Sequence, residues 1–75
     1  MEDRVKNTIN NIKSIIDRDF DYVVEKEKNG KFENLKNLPN YIVKIKRDKY
    51  IDENINDIKK IGFKEEGKML VHNIN

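Results

Sequence analysis

The chain has no cysteine, alanine, glutamine or tryptophan, and only one proline, one serine, one histidine and three glycines in 75 residues. Each shortage excludes a class of chemistry. Without cysteine there are no disulfides and no thiolate metal sites. The lone serine, Ser14, falls inside a helical pattern, and nothing suggests that it meets the lone histidine, His72, in the geometry a nucleophile and its base require. His72 on a terminal strand is expected to be structural or exposed. Gly30, Gly62 and Gly67 stand apart from one another, so no phosphate-cradling loop exists. No apolar run approaches the length of a membrane span, and the N-terminus is charged and amphipathic from Glu2 onward, which makes the cytoplasm the expected location.

What the chain has in abundance is charge. Charged residues make up 40% and hydrophobic residues 36%, yet the formal net charge is only +2. That balance lies near the border of disorder, and a protein that coats nucleic acid is usually more basic. The apolar residues are periodic rather than scattered, which predicts one folded domain over residues 1–75. A domain this small gains little stability to spare from its core. The dominance of Lys, Asn and Ile with no Ala points to an AT-rich genome, bacterial, archaeal or phage.

The periodicities give the order of elements. Val5, Ile9, Ile12 and Ile16 recur at helical spacing, with Ile15 widening the stripe, and predict an amphipathic helix from Glu2 to about Asp19. Phe20, Tyr22 and Val24 alternate with Asp21, Val23 and Glu25, which predicts a strand over 20–27. Asn29-Gly30 is a turn signal. Phe32, Leu35 and Leu38 fit either a short helical turn or a core-plugging loop, ended by Pro39. Tyr41 to Arg47 is the clearest strand, with Tyr41, Val43 and Ile45 on one face and Ile42, Lys44 and Lys46 on the other. Ile51, Ile55, Ile58 and Ile61 predict a second helix over 52–61, with Asp48 or Asp52 as N-cap and Gly62 at the left-handed position after it. Glu65-Glu66-Gly67 is expected to be a turn, and Lys68 to Ile74 the last strand. The fold class expected is α+β in the order α-β-β-α-β, two helices on one face of a mostly antiparallel three-stranded sheet.

Two surface features are candidate partner-binding sites. Lys44, Lys46, Arg47 and Lys49 form a basic stretch around the second strand, flanked by Tyr41 and Tyr50. A phosphate-tracking surface has this composition. Lysines on an exposed strand that discourage aggregation have it too, and the alternation puts Tyr41 on the face opposite Lys44 and Lys46. Asp17, Asp19 and Asp21 form an acidic counterpart that mimics the start of a calcium loop. Tyr22 stands where such a loop needs glycine and Lys28 where it needs glutamate, so no metal is expected. These carboxylates mark a helix-to-strand junction or an acidic docking surface.

No catalytic residues, cofactor or metal are therefore expected. In size and composition the chain resembles small inhibitors encoded by phages and mobile elements, including anti-CRISPR proteins. The expected function is non-catalytic protein binding that occupies a surface of a nucleic-acid-handling protein. The alternative is a small nucleic-acid-binding or regulatory domain that uses the basic second strand. A homodimer joined through the final strand, Lys68 to Ile74, would add burial to a small core.

Overall fold

The computed structural model describes residues 2–27 and 40–74. The Asn29-Gly30 turn and the Phe32, Leu35, Leu38 and Pro39 segment lie outside the described residues. Helix α1 spans Asp3–Ile16, β1 Tyr22–Glu27, β2 Asn40–Lys46, α2 Lys49–Glu53, α3 Ile55–Ile61, β3 Lys64–Glu66 and β4 Met69–Ile74. The architecture is α+β, and all strand pairs are antiparallel.

Among the described residues the sheet has four strands in the order β1-β2-β4-β3, not three. The added strand, Lys64–Glu66, takes in Glu65 and Glu66 of the segment expected to be a turn. Its three residues are all exposed, so no buried-versus-exposed alternation marked it. Glu66 pairs with Met69, which leaves a two-residue loop, and Gly67 opens that loop at a φ of 61°. A positive φ at the first loop residue suits a tight hairpin and favours glycine. The final strand, expected to offer a free edge to a second copy, is instead an inner strand: β4 lies between β2 and β3. Among the described residues the outer strands are β1 and β3.

Local chemistry sets the helix ends. The Glu2 carboxylate accepts the Arg4 backbone N–H at 2.8 Å and caps α1. The helix closes at Asp17, in the left-handed region at φ 53°, whose N–H donates to the Lys13 carbonyl. Asp48 caps α2 by accepting the Ile51 N–H at 2.9 Å, so the second helical region begins at Lys49 rather than Asp52. It is also broken. At Asn54 the backbone leaves helical geometry while the side-chain amide donates to the Tyr50 carbonyl, an asparagine competing with the helix for backbone partners.

The break leaves the isoleucine stripe intact. Ile51 and Ile58 are fully buried, while Ile55 and Ile61 pack at the margin. With Val5, Ile9 and Ile12 of α1 they lie against Val43 and Ile45 of β2, Leu70 and Ile74 of β4, and Phe63. In register, Ile45 opposes Leu70 and Val43 opposes His72, so these side chains share one face of the sheet. Both helical layers cover that face, and it holds the core.

Candidate functional site

Alternation dictates what the other face carries. The open face presents Val23 and Glu25 from β1, Ile42, Lys44 and Lys46 from β2, Met69, Val71 and Asn73 from β4, and Lys64 and Glu66 from β3. Register aligns Val23, Lys44, Val71 and Lys64 as neighbours across the four strands. Lys44 thus stands between two valines, with Ile42 two residues away on its own strand. Its ammonium reaches Glu25 at 2.7 Å. That hydrogen bond, then the charge of Glu25, and more weakly the charge of Glu66, hold Lys44 above the ordinary lysine range. The centre of the face is a compensated lysine bordered by aliphatic side chains.

Much of that aliphatic surface meets solvent. Val23 is 55% exposed, one of the two large hydrophobic side chains so exposed among the described residues. Ile42, Met69 and Val71 are partly exposed. No aromatic side chain of a described strand residue lies on this face. Tyr22, Tyr41 and Phe63 pack with the core, and Arg4 lies over the Tyr41 ring at 5.6 Å.

The basic stretch does not assemble as one patch. Lys44 and Lys46 share the open face, while Arg47 turns to the helical side. Its guanidinium bonds Asp52 at 2.9 Å and Glu65 at 3.1 Å, and Glu65 in turn bonds Lys59 at 2.6 Å. The chain Asp52–Arg47–Glu65–Lys59 joins α2, the end of β2, β3 and α3. Arg47 is held above its ordinary range chiefly by the Asp52 hydrogen bond, and Glu65 below its own chiefly by Lys59. Lys49 opens α2 and is exposed. Lys46 and Lys49 make no ion pair among the described residues. Tyr50 is engaged by Arg18, whose guanidinium stacks 3.8 Å above its ring.

The acidic residues lie at the junction between α1 and β1. Asp17 closes the helix, the Asp19 carboxylate is 3.4 Å from Lys13 and almost fully exposed, and the Asp21 carbonyl accepts the Lys46 N–H. Among the described residues no group of three histidine or carboxylate side chains is placed to hold a metal ion.

His72 stands on the covered face at the sheet's margin. Its ring lies 5.0 Å from that of Phe63, and a Cβ built on Gly62 would fall 2.6 Å from its Cε1. Gly62 also takes a φ of 131°, so both the backbone and the packed imidazole require glycine there. Partial burial lowers the His72 pKa below its ordinary value, and a hydrogen bond with the Gly62 backbone opposes the shift.

Sequence reasoning missed Val23, Met69, Val71, Lys64 and Glu66 as a surface. The open side of β2 was readable from its alternation, but the neighbours of Lys44 depend on strand order and on β3. The chain matches no protein-family model, and no curated protein or solved structure is similar to it at a significant level.

Proposed function

We propose that this chain is a non-catalytic protein-binding module that uses its open sheet face to occupy the surface of another protein. The observation that carries the reading is the centre of that face: exposed Val23 with Ile42, Met69 and Val71 around a lysine already compensated by Glu25. Aliphatic surface bordered by mixed charges is the anatomy of a protein interface, with an apolar centre and a polar rim. His72 supports the non-catalytic reading, because its ring is engaged with Gly62 and Phe63 rather than with a hydroxyl or carboxylate. Size and composition suit a phage- or mobile-element-encoded inhibitor whose target handles nucleic acid.

Nucleic-acid binding through the basic strand is the second reading. Lys46 and Lys49, without ion-pair partners among the described residues, favour it. Lys44 and Arg47 weigh against it, since both already hold carboxylates, and Glu25 and Glu66 on the same face would repel a phosphate backbone. Sheets that bind single strands also present exposed aromatics for stacking.

Affinity capture from the lysate of an AT-rich bacterium, with and without nuclease, separates the two. The module reading expects a defined protein retained after nuclease and lost with Val71→Asp. Capture that disappears with nuclease and falls steeply with salt would overturn it in favour of the second reading.

A further inference from the structure

The four strands share their charges unevenly. β1, β2 and β3 each carry lysine or glutamate, whereas β4, from Met69 to Ile74, has no lysine, arginine, aspartate or glutamate, and no proline or glycine. Such a strand has little to discourage pairing with another chain, since charge, proline and short length are what natural sheet edges use. One side of β4 is paired with β2. Its outer side, along Met69–Val71, is covered by β3, which is three residues long and both charged and exposed at every position. With no buried side chain, β3 is not held by packing. Beyond its pairing with β4 it is held through Glu65, whose carboxylate bonds Arg47 at 3.1 Å and Lys59 at 2.6 Å, and so joins β3 to the end of β2 and to α3. Two exposed ion pairs add little to global stability. They weigh more on β3 itself, because a segment with few buried contacts opens locally at little cost.

From this contrast we infer that β3 is a guard strand, fastened over the outer edge of β4 by Glu65, and that its release lets β4 pair antiparallel with the β4 of a second copy of this chain. With β3 in place, only His72–Ile74 lacks a strand on that side among the described residues, and so short an edge is a poor template. With β3 displaced, all six residues of β4 are open to pairing. No fixed charge on β4 selects the incoming strand, so apolar match does. A second β4 supplies that match, with Leu70 and Ile74 on the covered face and Met69 and Val71 on the open face. A two-fold axis lets the same edge serve both copies. The inference goes beyond the protein-binding reading of the open face and does not depend on it.

The test compares the full chain with its Glu65→Gln variant, by amide hydrogen exchange and by light scattering across a dilution series. The expected result is exchange about tenfold faster at Lys64–Glu66 in the variant, unchanged exchange at Val24 and Val43, and a dimer at concentrations where the parent chain is a monomer. The substitution removes a negative charge from a chain whose formal net charge is already +2, so repulsion between copies rises and cannot itself produce that dimer. Val71→Glu added to the variant should restore the monomer, because it sets a carboxylate on the strand that must meet its own copy. Position 71 lies between Lys44 and Lys64 in register, so the folded monomer accommodates the new charge. Faster exchange at β3 with a monomer at every concentration would overturn the inference. So would a dimer that forms without faster exchange there, or one that survives Val71→Glu. Unchanged exchange with unchanged mass would overturn it as well.

Discussion

The two faces of this sheet are built from the same strands and differ in what covers them. On the covered side Val43, Ile45 and Leu70 have no exposure. One residue along, Ile42, Lys44 and Val71 stand on the open side, partly solvated, with an ion pair at their centre. A period of two separates covered from open residues more sharply here than chain position does, because each covered residue is adjacent in sequence to an open one. In so small a domain the division has a physical basis. The helices suffice to cover one face, and the other carries charged side chains beside some aliphatic surface.

The largest contrast comes from matched truncations. Ile45→Ala should cost about 2–5 kcal/mol, since the side chain is fully enclosed and its loss leaves a cavity. Against a total of about 5–15 kcal/mol for ordinary domains, that leaves little. Ile42→Ala, on the same strand, should cost much less, because solvent already reaches that site. Urea denaturation of both variants measures the difference; equal losses would mean that the open face is covered in the folded chain.

Next in size is Gly62→Ala, which meets both an unfavourable φ and the His72 ring. A loss of about 1–3 kcal/mol is expected. In a His72→Ala background the steric part should vanish and the backbone part remain, so the double-mutant cycle should show coupling.

A smaller effect depends on pH. The folded-state pKa of His72 lies below its ordinary value of 6.5, so the unfolded chain takes up the proton more readily. The contribution to stability is complete above about pH 6.5 and is lost as pH falls through that value toward the folded pKa. Denaturation midpoints compared at neutral and mildly acidic pH should show this slope in the parent chain and not in His72→Gln. The exposed pair at the centre of the open face should matter least for stability. Lys44→Gln is expected to leave the melting temperature unchanged within measurement, because exposed ion pairs contribute little, and to leave Glu25 without its partner on the open face.

How far these contrasts could be read from sequence follows from the range of the interactions involved. The stripe of α1 and the two faces of β2 were legible because side-chain period alone determines them. The cap was narrowed to Asp48 or Asp52 because its geometry is local, and the structure places it at Asp48. β3 was not, since three exposed residues carry no periodicity, and without it β4 reads as an edge. The break at Asn54 was hidden by isoleucines that keep helical spacing across it. The basic stretch, contiguous in sequence, divides because Arg47 follows the alternation to the helical side and meets Asp52 and Glu65. What decides a surface here is strand order and partner charges, neither of which has a local signature.

Methyl cross-saturation on the complex with the captured protein tests the division of labour most directly. The account predicts transfer of saturation to the methyl groups of Val23, Ile42 and Val71, and none to Val43, Ile45 and Leu70. Saturation confined to residues outside the open face, such as the junction around Asp17 to Asp21 or the start of α2, would contradict it.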